Sequence, residues 1–88
     1  MQNNLHLVDR HIFQVCVAQG VCDSGYDFSR LMERSLGYWS SLQAGHRSIS
    51  GSSLFKLARN LETRGSIATR RSRAALAQFI RDRALERL

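Results

Sequence analysis

The sequence predicts an all-α fold of five helices. Three observations carry this. The strongest periodicity places apolar residues at three- and four-residue steps. No segment alternates apolar and polar residues with the period of two that marks a half-buried strand. Serine and aspartate stand where helices would begin and glycine where they would end. Proline is absent, which excludes proline-rich linkers and polyproline ligand motifs.

The first helix spans about residues 5–19, where Leu5, Val8, Ile12, Val15 and Cys16 form one apolar stripe and Gly20 can end it in a left-handed conformation. Residues 21–26 read as a loop. The second helix starts at Asp27, a favoured N-cap because its carboxylate accepts orphan backbone N–H groups. Tyr26 and Leu31 fall in hydrophobic-staple register, Phe28, Leu31 and Met32 turn inward, and the helix ends near Arg34. Ser35 can cap the third helix, Trp39 and Leu42 anchor it, and Gly45 occupies the stop position. Ser50 caps the fourth, with Ile49 and Leu54 in staple register; Leu54, Leu57, Ala58 and Leu61 are its buried face, and Gly65 can terminate it. The fifth helix, basic and amphipathic, occupies about residues 67–87, with Ala75, Leu76, Phe79, Ile80 and Leu88 near one face and Ala84 and Leu85 beside it.

A chain of 88 residues is a single domain, here residues 1–88, with one small core. At 43% hydrophobic and 23% charged residues it has ordinary globular composition. Its net charge is +6, and Arg accounts for twelve of the thirteen basic residues. The charge is uneven: residues 1–44 carry three basic against four acidic side chains, and residues 45–88 carry ten against three. A basic half points to a polyanion or to an acidic protein surface, with a merely solvated face as the alternative. The longest apolar runs, such as Val15-Cys16-Val17-Ala18, are far too short to span a membrane, and the start Met1-Gln2-Asn3-Asn4 has no positive n-region, so a cytoplasmic location is expected.

Catalytic chemistry finds little support. Cys16 and Cys22 do not have zinc spacing and read as free thiols, Cys16 in the core and Cys22 in a loop. His6 and His11 are five apart rather than the four that places two ligands on one helix face, and there is no glycine-rich phosphate loop. Asp9, beside Arg10 and His11, reads as part of a helix-surface charge set. No enzyme, cofactor or metal is expected.

Two short helices joined by a tight turn, followed by a loop and another apolar helix, form a helix-turn-helix arrangement. Phe28, Leu31, Met32, Trp39 and Leu42 would supply its core, leaving Gly37, Tyr38, Ser40, Ser41 and Gln43 outward. Phe28-Ser29-Arg30-Leu31-Met32, Ser35 to Gly45, Arg47-Ser48-Ile49-Ser50 and Leu54 to Leu61 together resemble the lambda-repressor-like (Cro/C1, XRE-type) helix-turn-helix superfamily. They are closer still to small proteobacterial proteins of that type carrying a similar Ser-x-x-Tyr-aromatic-Ser-Ser-Leu segment. The resemblance covers about residues 26–62.

It implies a small transcriptional regulator of bacterial or mobile-element origin that binds double-stranded DNA. Tyr38, Ser40, Ser41 and Gln43 would contact bases, and Arg34, Arg47, Lys56 and Arg59 phosphates. Because the outward face of the third helix has no Arg or Lys of its own, a second reading stands beside this one: an antiactivator-type modulator using the same face to bind another regulator protein. Trp39 is expected in the core, with Tyr38 as the contact residue. Arg64, Arg70, Arg71 and Arg73 form a further basic cluster. The fifth helix, through Leu76, Phe79 and Ile80, would either complete the core against the first helix or pair with a copy of itself in a two-fold homodimer. Its modest apolar face argues against a membrane partner.

Overall fold

The computed structural model of the protein describes residues 5–63 and 70–88. The regular structure of the described residues is entirely helical: α1 (Leu5–Ala18), α2 (Gly25–Leu31), α3 (Tyr38–Ala44), α4 (Gly51–Thr63) and α5 (Arg70–Leu85). The expected all-α class and the five-helix order are thus observed. The predicted stop at Gly65, and the Arg64 and Arg70 side chains of the basic cluster, lie outside the described residues. The chain divides into two compact units: residues 1–30 with 34–49, and residues 31–33 with 50–88.

Helices α1, α2 and α3 end in the same way. The N–H two residues past the cap donates to the carbonyl five residues back: Val21 to Cys16 at 2.8 Å, Arg34 to Ser29 at 3.1 Å and Arg47 to Leu42 at 2.9 Å. These are Schellman endings, which close only when the residue at C′ is left-handed. That residue is Gly20 (φ 72°), as expected, but Glu33 (φ 58°) and His46 (φ 51°) in the other two. Gly45, expected at the stop, has φ −94° and precedes it by one residue. Helix α2 accordingly stops at Leu31 rather than near Arg34.

The starts also differ from expectation. Asp27 lies inside the first turn of α2, and Ser24 does the capping: its Oγ accepts the Asp27 N–H at 3.2 Å. Tyr26 is therefore helical and exposed, and makes no staple. Helix α3 starts after Gly37, and Ser35 does not cap it. At α4 the expectation holds: Ser50 Oγ accepts the Ser53 N–H at 3.3 Å and donates to Ser53 Oγ at 2.8 Å.

In the first unit, the core is an aromatic triad. The Phe13, Phe28 and Trp39 rings meet with centroids 5.0–5.3 Å apart, Phe28 and Trp39 edge to face. Two features lock Trp39 in place. Buried Ser29 donates from Oγ to the Gly25 carbonyl at 2.8 Å and accepts the Trp39 N–H at 3.0 Å. A Cβ on Gly25 would lie 2.9 Å from Trp39 Cδ1, so only glycine allows the indole to pack this closely. Asp9 is buried, not part of a surface charge set: its Oδ2 accepts the Ile49 N–H at 2.7 Å, tying the segment after α3 to α1. Cys22 is in the loop, as expected, and is buried together with Cys16.

In the second unit, α4 packs on α5. Helix α4 buries Leu54, Leu57, Ala58 and Leu61, as anticipated, together with Gly51 and Ser53. A Cβ on Gly51 would come within 2.9 Å of the Ala84 carbonyl oxygen, so the start of α4 lies directly on the end of α5. The buried residues of α5 are Leu76, Ala77, Ile80 and Ala84. Ala75, Phe79, Leu85 and Leu88, placed on or beside that face by the sequence, are exposed. Helix α4 also holds residues 31–33: Asn60 donates from Nδ2 to the Leu31 carbonyl at 2.7 Å, and Arg59 pairs with Glu33.

Replacing Ser29 with Ala leaves the buried Trp39 N–H without its acceptor. The expected loss is about 1–3 kcal/mol of unfolding free energy. Gly25→Ala overpacks the indole and is expected to lose a similar amount, about 1–3 kcal/mol. Urea denaturation followed by Trp39 fluorescence measures both, and wild-type midpoints would contradict this account of the core.

Candidate nucleic-acid interface

Helix α3 is only seven residues long, and its sequence, YWSSLQA, contains no charged residue. Trp39 and Leu42 are buried. That orientation leaves Ser40, Ser41 and Ala44 exposed, so α3 presents a face of small side chains. A face without long side chains lets a helix backbone approach a partner closely. A helix is about 10–12 Å across with its side chains, and a major groove about 12 Å wide admits one.

Arginines stand at both ends of α3. Before it, the Arg34 guanidinium carbon lies 4.5 Å from the Tyr38 ring centroid. Stacking restrains that side chain while its N–H groups remain suited to an oxyanion. Tyr38 is half-buried. After α3, Arg47 is exposed, and the Schellman ending fixes its backbone.

The other predicted contact residues are placed differently. Gln43 is half-buried and does not share the open face of Ser40 and Ser41. It lines two concavities between α1 and α3, one of about 100 Å³ with His6, Arg10, Leu42 and His46, the other of about 190 Å³ with Arg10, Phe13, Gln14 and Trp39. In the second unit, Arg59 is engaged by Glu33, and its hydrogen bond is the main reason the Glu33 carboxyl is held below its ordinary range. Lys56 is half-buried and adds to the positive field at Glu33.

Two arginines of α5 are occupied as well. Arg81 pairs with Glu62 of α4 at 2.5 Å, each stabilising the other's charged form. Arg83 pairs with Glu86 at 2.6 Å and lies 5.2 Å from the Phe79 ring centroid. Of the three residues proposed to pair or complete a core, Leu76 and Ile80 are buried and Phe79 is exposed.

Sequence reasoning missed Phe13 and Arg10. Phe13 is adjacent to the apolar stripe of α1 rather than on it, yet it supplies one ring of the triad. Arg10 looked like one member of a surface charge set but is shared by both concavities. The inward face of α1 follows Asp9, Ile12, Phe13 and Cys16, a helical spacing hidden by the charge on Asp9. Among the described residues, no three His, Cys, Asp or Glu side chains converge as a metal site. No protein-family model matches the chain, and no curated protein or solved structure is similar to it.

Burial pushes the Cys16 thiol up from 9.0 to about 12, with Cys22 adding to the shift. Burial likewise pushes Cys22 to about 11, helped by the Asp27 and Asp23 carboxylates. Both are protonated at neutral pH, and thiols react as thiolates. Native protein should therefore be alkylated by iodoacetamide far more slowly than urea-unfolded protein. The same shifts set a pH dependence. Above 9.0 the unfolded thiols ionise while the folded ones keep their protons until about 11 and about 12. The unfolded state then binds fewer protons, so this contribution to stability is complete below 9.0 and is lost as pH rises through that window. Urea midpoints measured across it should fall less steeply for Cys16→Ala than for wild type.

Proposed function

We propose that this chain is a small transcriptional regulator of the helix-turn-helix type, of bacterial or mobile-element origin, acting on double-stranded DNA in the cytoplasm. The observation that carries the reading is the charge-free, small-residue face of α3 with Arg34 and Arg47 at its two ends. The net charge of +6 supports it, because neutralising phosphates supplies most of the affinity of such proteins. The lambda-repressor-like pattern of residues 26–62 supports it as well. In this reading Ser40 and Ser41 reach base edges, Tyr38 holds Arg34 against a phosphate, and Arg47 takes a second phosphate. Gln43 contributes at the border of the face. Lys56 and Arg59 are secondary, since Glu33 already engages Arg59. No helix among the described residues is long and apolar enough to cross a membrane.

One observation favours a second reading. Gln43 is half-buried and Arg59 is paired with Glu33, which leaves the face around α3 weakly charged. Such a face suits a protein partner, as in an antiactivator that captures another regulator.

Binding to pooled random and native upstream duplexes at low and near-physiological salt separates the two. A DNA reader retains particular sequences at the higher salt. Arg34→Ala and Arg47→Ala should each lower the salt slope by about one, and Arg59→Ala by less. Binding that disappears without sequence preference as salt rises would exclude the DNA reading.

A further inference from the structure

We propose that the concave face between α1 and α3 binds a small aryl oxyanion: a carboxylate or phosphate monoester carried on a single flat ring. The two concavities there share Arg10 and Gln43 as walls, so they adjoin, and the proposed ligand reaches across both. The one of about 100 Å³ is an oxyanion pocket. Besides Leu42, its lining is Arg10, Gln43, His6 and His46, all capable of N–H donation. The His6 and His46 rings meet edge to face with centroids 5.9 Å apart. Among the described residues, no carboxylate lines either concavity. The acidic neighbour of Arg10 in sequence, Asp9, is buried and accepts the Ile49 N–H.

The other concavity suits the ring. Its volume is about 190 Å³, and it is walled by Phe13 and Trp39, whose rings are tilted by 36° at 5.3 Å. A cavity of about 150 Å³ is enough for benzene. Arg10 lines both parts, and its guanidinium can grip the oxyanion in bidentate fashion. None of this uses the open Ser40 and Ser41 face of α3, and the site does not depend on the DNA-binding reading.

Trp39 is the single tryptophan, so its fluorescence reports this wall. The full chain, without nucleic acid, is titrated with benzoate, phenyl phosphate, inorganic phosphate and the neutral control benzyl alcohol. Saturable changes are expected with both aryl oxyanions, weaker binding with inorganic phosphate, and none with benzyl alcohol. Arg10 is exposed, so Arg10→Gln should keep the wild-type circular dichroism and weaken the aryl oxyanions about tenfold or more. Gln43→Glu, which sets a carboxylate against the anion, should give a comparable loss. Absence of saturation with both aryl oxyanions, equal binding of benzyl alcohol, or wild-type affinity in both variants would overturn the proposal.

Discussion

The first unit depends on how one indole is held. Trp39 is fixed through its backbone by the Ser29 hydroxyl and through its ring by Phe13, Phe28 and the bare Cα of Gly25. These contacts bring α1, α2 and α3 together around a residue at the start of α3. The direction in which Trp39 points inward decides which side of α3 points out. The exposure of Ser40, Ser41 and Ala44, and the half-burial of Gln43 against α1, follow from it. A buried hydroxyl suits this role because it can donate and accept at once, satisfying two backbone groups with one small side chain.

The distribution of arginine matters more than its number. A basic second half suggests a broad polyanion surface, but in the second unit acidic side chains engage several of these residues: Glu33 with Arg59, Glu62 with Arg81 and Glu86 with Arg83. Exposed pairs of this kind contribute little to stability. Their larger consequence is to lower the positive field available to a partner. Arg34 and Arg47, beside a helix with no charge of its own, therefore stand out more in three dimensions than in the sequence. The proposed aryl-oxyanion site lies on a different side of the same helix, lined by Arg10 and Gln43, so it shares only Gln43, at the border, with the Ser40 and Ser41 face.

Two left-handed residues that are not glycine set the ends of α2 and α3. A non-glycine residue with positive φ pays a steric penalty, and it persists because the surrounding contacts over-determine it. At Glu33 those contacts are the Schellman hydrogen bond across it and the Arg59 pair. At His46 they are the Schellman bond and the His6 ring. Each also immediately precedes one of the two arginines beside α3.

Much of the fold could be read from the sequence, because helical periodicity and a side-chain cap are local properties. The five helices in order, the buried face of α4, the Ser50 cap and the left-handed Gly20 required only neighbouring residues. What the sequence could not decide was which of several local options tertiary packing would select. Ser24 rather than Asp27 caps α2, and His46 rather than Gly45 takes the left-handed turn, because each segment must still present Phe28, Trp39 and Leu42 to its core. Asp9 looked exposed because carboxylates usually are, and a backbone N–H forty residues away is part of what its burial rests on. The residues bracketing α3 were legible as candidates by position. The pairing of Arg59, the retreat of Gln43 towards α1 and the emergence of Arg10 were not, because each depends on a neighbour distant in sequence and close only once the helices have packed.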